Sequence, residues 1–90
     1  MRHRKDTNQD EIVKALRKKG ATVYVIGRPV DLVCGYKCRN FLIDVKSANG
    51  KKTPFQKTFF EEWRGQVRIV RSVKEAIDLV TESYDGSRVN

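Results

Sequence analysis

The sequence predicts an α/β (α+β) domain in which a mixed central sheet is flanked by helices, and three observations carry that reading. Helix-period and strand-like stretches follow one another in the order α-β-β-β-α-β-α. Turn formers stand between most of them, at Gly20, Gly27, Pro29 and Gly50. The chain of 90 residues shows no repeat or low-complexity tract, and this length holds one domain. A domain of this size buries about two thirds of the surface its unfolded chain exposes, so its core gains from a partner subunit.

Each element has a local cause. In residues 8–19, Asn8 is placed as an N-cap with Glu11 three positions later to complete a capping box. Ile12, Val13 and Leu16 fall in one helical arc, which also takes in Gln9, and Gly20 ends the helix. Lys14, Arg17, Lys18 and Lys19 fill the remaining surface, either as a solvated face or as a polyanion contact. Residues 22–26 are branched, aromatic and almost continuously apolar, the pattern of a central strand buried on both faces. Pro29 interrupts the chain, and Asp31 opens a second apolar run to Tyr36. A third run, residues 41–46, follows a hairpin spacer over residues 37–40, and residues 48–52 form an exposed basic loop.

Thr53 is a second helix cap, with Pro54 at the first helical position and Gln56 placed for a capping box. Phe55, Phe59, Phe60 and Trp63 span an arc of about 140°, opposite Lys57, Thr58, Glu61 and Glu62. Gln56 lies inside the apolar arc, where its amide either closes the cap or serves the sheet end. Residues 67–70 are a further strand, Ser72 and Glu75 a third capping box, and Ala76, Ile77 and Val80 the buried stripe of a last helix. Residues 1–7 and 85–90 read as loose ends.

Nineteen Lys and Arg against eleven Asp and Glu leave a net charge of +8, which suits an anionic polymer as partner. No apolar run approaches the roughly 20 residues that span a bilayer, and the polar start carries no address label, so an intracellular, cytoplasmic protein is expected. Cys34, Cys38 and His3 cannot supply the four ligands of a structural zinc site. The two cysteines read as reduced thiols near a hairpin, with a disulfide as the alternative.

The chemistry concentrates at one end of the sheet. Successive strand side chains alternate, so Asp44 and Lys46 share a face while Ile43 and Val45 take the other. Asp31 enters the neighbouring strand at the same end, and Gln56 opens the following helix. Taken alone, Asp44 and Lys46 are an ordinary ion pair on a strand. With Asp31, in a basic protein, they suggest phosphodiester hydrolysis. Magnesium takes oxygen ligands and keeps several waters, so two aspartates and a backbone carbonyl make a plausible site. Lys46, flanked by carboxylates, suits transition-state stabilisation, with a general-base role left open.

Pro29-Val30-Asp31, Ile43-Asp44-Val45-Lys46, Thr53-Pro54-Phe55-Gln56-Lys57 and Arg71-Ser72 together resemble the PD-(D/E)xK nuclease superfamily. More narrowly, they resemble the VRR-NUC (virus-type replication-repair nuclease) family, over about residues 20–80. The resemblance implies a restriction-endonuclease-like core and a metal-dependent endodeoxyribonuclease, with magnesium as cofactor and manganese able to substitute. Stand-alone phage proteins and a domain of a eukaryotic DNA repair nuclease belong to that family. On that likeness Asp31 and Asp44 bind the metal, the Val45 carbonyl adds a ligand, Lys46 assists the attacking water and Gln56 steadies the site.

The sequence departs from the family pattern in two places. Val30 stands between Pro29 and Asp31. The family's first-helix glutamate would be Glu11, yet Glu11 lies across the wheel from Ile12 and Leu16, where Gln9 occupies the inward arc. The likeness further implies branched DNA such as a Holliday junction as substrate. It also implies a homodimer, because two symmetric cuts need two sites; Phe60, Trp63 or the Tyr24 region could supply the interface. Arg28, Lys51 and Lys52 are placed to contact phosphates. The alternatives are a non-catalytic nucleic-acid-binding domain on a nuclease-like fold, and an interaction module using the aromatic arc, which would need no such charge.

Overall fold

The computed structural model describes residues 4–82. The elements are α1 (Arg4–Lys19), β1 (Thr22–Val25), β2 (Leu32–Tyr36), β3 (Arg39–Val45), α2 (Pro54–Glu62), β4 (Val67–Val70) and α3 (Val73–Thr81), the expected order. The strands form one sheet in the order β1-β2-β3-β4. β1 pairs antiparallel with β2 and β2 antiparallel with β3, and β4 returns parallel to β3 after the α2 crossover. The sheet is therefore mixed, as predicted.

α1 and α3 cover one face. Ile12, Val13 and Leu16 from α1 meet Ala76, Leu79 and Val80 from α3 over Val23, Leu32, Cys34, Phe41, Ile43 and Val70. These strand residues sit in register, Val23 opposite Cys34, Cys34 opposite Phe41 and Leu32 opposite Ile43, so one face of the pleat is continuously apolar. Gly20, at φ +111, terminates α1 in the left-handed region that side chains avoid. The hairpin between β2 and β3 is tighter than the predicted spacer. Tyr36 and Arg39 still pair, leaving Lys37 and Cys38, both at positive φ, as the turn. Cys34 is buried and Cys38 exposed, and both are free thiols.

Several expectations need correction. α1 begins at Arg4, a turn before Asn8, so Asn8 is inside the helix and is no cap. β1 is an edge strand, paired only with β2, and of its residues only Val23 is buried; Tyr24 is 66% exposed. The centre belongs to β2 and β3, because β4 comes back beside β3 and leaves β1 at the margin. α2 buries none of its side chains, so its aromatic arc is not a core face. The predicted third capping box is half formed: Ser72 Oγ accepts from Glu75 N, but the Glu75 carboxylate accepts from Arg71 N. The expected loose ends fall partly outside the described residues, but residues 4–7 belong to α1.

Candidate active site

Asp31 is held at its backbone carbonyl and at its side chain. Its carbonyl accepts from Ile26 N at 2.8 Å and Gly27 N at 3.2 Å, closing the loop between β1 and β2. Gly27, at φ +81, allows that closure. Val30, the residue between Pro29 and Asp31, is completely buried and anchors the approach to Asp31. The Asp31 carboxylate then reaches across to β3, where Oδ2 accepts from Val45 N at 2.8 Å. Since Leu32 pairs with Ile43, one step outward along the register sets Asp31 opposite Asp44.

Asp44 has no exposed surface. Its Oδ1 accepts from Gln56 Nε2 at 2.9 Å, and its Oδ2 lies 2.9 Å from Lys46 Nζ. That second contact is one of charge, because Oδ2 receives no donor in hydrogen-bonding geometry. Lys46 Nζ donates instead to Gln56 Oε1 at 2.7 Å. The same Oε1 accepts from Thr53 N at 3.2 Å, while Thr53 Oγ1 accepts from Gln56 N. Gln56 therefore closes the α2 cap and bridges Asp44 to Lys46 at once. The two roles weighed for it in the sequence are one arrangement, which seats α2 against the strand end.

Burial raises the carboxyl of Asp31 above its ordinary 3.8, and the adjacent Asp44 adds to the rise; the Val45 N–H and the Lys46 ammonium oppose it. Two carboxylates thus share one partly dry corner, and a buried carboxylate oxygen there lacks a donor. A hard cation satisfies both conditions, so the donor set fits a divalent ion. Among the described residues no group of three or more His, Cys, Asp or Glu is placed to hold a metal. Glu11 is exposed on α1. From α1, Asn8 reaches the strand end, where its Nδ2 donates to Lys46 O at 3.3 Å. The signal for it was present, because Asn8 precedes Ile12 by one helical turn and so lies on the buried stripe.

Arg71, which the sequence reading quoted only as part of the family likeness, also bears on the site. Its Nη1 donates to Ser47 O at 2.6 Å and Gly50 O at 2.9 Å, tying the basic loop to the end of β4. Asn8, Lys46, Lys51 and Arg71 line a cleft of about 530 Å³ beside the site. Of the expected phosphate contacts, Lys51 is exposed at this cleft, whereas Arg28 and Lys52 lie over aromatic rings of α2.

The helix-flanked mixed sheet thus brings Asp31, Asp44, Lys46 and Gln56 together at one end. Among solved structures, a VRR_NUC domain superposes with a TM-score of 0.66, at 23% identity, over 86% of this chain and 98% of its own. The chain shares that domain's fold. No protein-family model matches the sequence, and no curated protein does. Among the described residues no helix is long and apolar enough to cross a membrane.

Proposed function

We propose that this chain is a VRR-NUC nuclease, a magnesium-dependent endodeoxyribonuclease that cuts branched DNA as a homodimer. The observation that carries the reading is the buried Asp44 beside Asp31, with Lys46 and Gln56 bonded into the same corner. A pure binding surface for phosphate has no use for buried acids, which repel it. Asp31, Asp44 and the Val45 carbonyl would hold the cation, with manganese able to replace magnesium. When bound, the ion supplies Lewis-acid activation of water and neutralises charge at phosphorus.

The protein's own groups supply the rest. The Asp31 carboxylate is fixed by Val45 N–H, and the Asp44 carboxylate by the Gln56 amide, so neither has to be ordered when substrate arrives. The Lys46 ammonium is aimed by Asp44 and Gln56 and sets a positive charge beside the site of phosphate approach. Tyr24, Val25 and Ile26, exposed at the β1 edge, offer the apolar surface for a two-fold interface.

Among the described residues no third acidic side chain joins the corner, which favours a second reading, a non-catalytic DNA-binding domain. Labelled duplex, flap, splayed and four-way junction substrates, incubated with and without magnesium, separate the two. Asp44→Asn should abolish magnesium-dependent cleavage and leave DNA affinity equal or higher, because a charge that repels phosphate is gone. Wild-type rates in the folded variant would eliminate the metal role of Asp44. No cleavage of any substrate by the wild type would leave the binding domain standing.

A further inference from the structure

We propose that the aromatic face of α2 is a stacking site for the unpaired nucleotides of a DNA branch, with Arg28 and Lys52 taking the adjacent phosphates. The inference rests on the reading that DNA is the substrate, and it adds the feature of that DNA which is recognised. α2 buries no side chain completely, with Phe59 and Phe60 half-buried, yet it carries more aromatic residues than any other element. Phe55 is 47% and Trp63 44% exposed. The Phe59 ring stands edge-on to Phe60 at 6.2 Å and leans 32° from Trp63 at 5.1 Å, so the rings form one strip.

Cations are built into this strip. The Arg28 guanidinium carbon lies 4.7 Å from the centre of the Phe55 ring, and Lys52 Nζ lies 4.5 Å from that of Phe60. The Trp63 indole is also set in place: Nε1 donates to Gln66 O at 3.3 Å. A Cβ on Gly65 would stand 2.9 Å from that nitrogen, so the glycine makes room for the ring. An indole with its orientation fixed loses little freedom when a base stacks on it.

Charge complementarity selects the occupant. An apolar protein partner would strip water from Arg28 and Lys52 and bring them no anion, and in a two-fold interface at this face Arg28 and Lys52 would meet the same cations of the second copy. A nucleotide supplies a flat ring for each aromatic and a phosphate for each cation, the combination that single-strand binding surfaces use. Bases in a duplex are already stacked, so only unpaired ones reach the strip. The strip also borders the candidate active site, because Phe55 and Gln56 are consecutive residues of the first α2 turn. A branch held there would bring its junction to Asp44 and Lys46.

Trp63 is the only tryptophan, so its fluorescence reports the event directly. The full chain is titrated in EDTA with oligothymidylate and, separately, with a blunt duplex of the same length. Oligothymidylate should quench Trp63 and the duplex should not. By anisotropy of labelled oligothymidylate, Phe55→Ala and Trp63→Ala should each weaken binding about tenfold. Gly65→Ala, which displaces the indole, should weaken it in the same direction, and Glu61→Ala on the polar side of α2 should leave it unchanged. Absence of quenching, with affinity unaltered in the folded Phe55 and Trp63 variants, overturns the proposal. So does a wild-type dimer that Trp63→Ala dissociates in sedimentation, since the face would then belong to a second copy. These readings need no metal, so quenching without any cleavage removes the proposed activity alone, and cleavage without quenching removes the stacking site alone.

Discussion

The two faces of the sheet use their helices in opposite ways. α1 and α3 bring Ile12, Leu16, Ala76 and Val80 to complete burial. α2 has the larger aromatic payload and buries none of it completely: Phe59 and Phe60 are half-buried and Phe55 is exposed. Its attachments are polar: Gln56 to Asp44 and Lys46, and, just beyond its end, Gln66 Nε2 to Asn40 O at 2.5 Å. One face of the molecule is thus committed to stability, and on the other α2 is tied by hydrogen bonds to the polar corner at the end of β3. An amphipathic arc shows that a helix face is apolar. It does not show that the same chain covers it.

The sharpest way to break this contrast is to cut one residue from each side. Leu16→Ala, which empties a completely buried position, should cost about 2–5 kcal/mol in urea unfolding. Phe55→Ala removes a larger side chain and should cost under about 1 kcal/mol, as surface changes do. Equal losses would mean that the aromatic arc is packed after all, and that the two faces do not differ in kind.

A smaller effect separates the two duties of Gln56. Thr53→Ala removes only the cap and should cost about 1 kcal/mol with cleavage retained. Gln56→Ala removes the cap and also the amide that bridges Asp44 and Lys46, so it should cost about 1–3 kcal/mol and depress cleavage severely. If the two variants cleave equally well, Gln56 is a cap alone, and α2 has no part in the site.

How much of this was legible depends on how local each cause is. Asp44 beside Lys46, with Ile43 and Val45 turned toward the core, follows from strand alternation and was readable. So were the α2 cap and the element order, which rest on near neighbours. The position of β1 was not readable, because strand order is decided by where β4 returns, and an apolar run such as residues 22–26 looks the same at a centre and at an edge. The exposure of α2 was hidden for a related reason: amphipathicity records a preference, and only packing decides whether it is met. Asn8 was misread because a capping residue and a helix-interior polar residue share a composition, and the turn preceding it, residues 4–7, is too charged and polar to announce a helix.

The smallest expected effect tests the electrostatic side of the contrast, and its sign can be worked out in advance. Burial and Asp44 hold the Asp31 carboxyl above its ordinary 3.8, so the folded protein takes up its proton more readily than the unfolded chain does. Stability from this group is therefore fully present below that value and is lost as pH rises through the raised one. Asp31→Asn removes the ionisation while its Oδ1 can still accept from Val45 N. In EDTA at neutral pH the variant should melt higher than wild type, by no more than about 4–8 °C, the shift that 1 kcal/mol gives in a domain of this size. The difference should close in acid, below the ordinary carboxylate value of 3.8, where both chains are neutral at this position. Magnesium should then reverse the order, because an ion bound by the native carboxylate pair stabilises only the chain that retains it. A variant that melts lower than wild type in EDTA at neutral pH would mean that the charged carboxylate gains more from the Val45 N–H and Lys46 than burial and Asp44 cost it, and that the corner stores no repulsion for a cation to relieve.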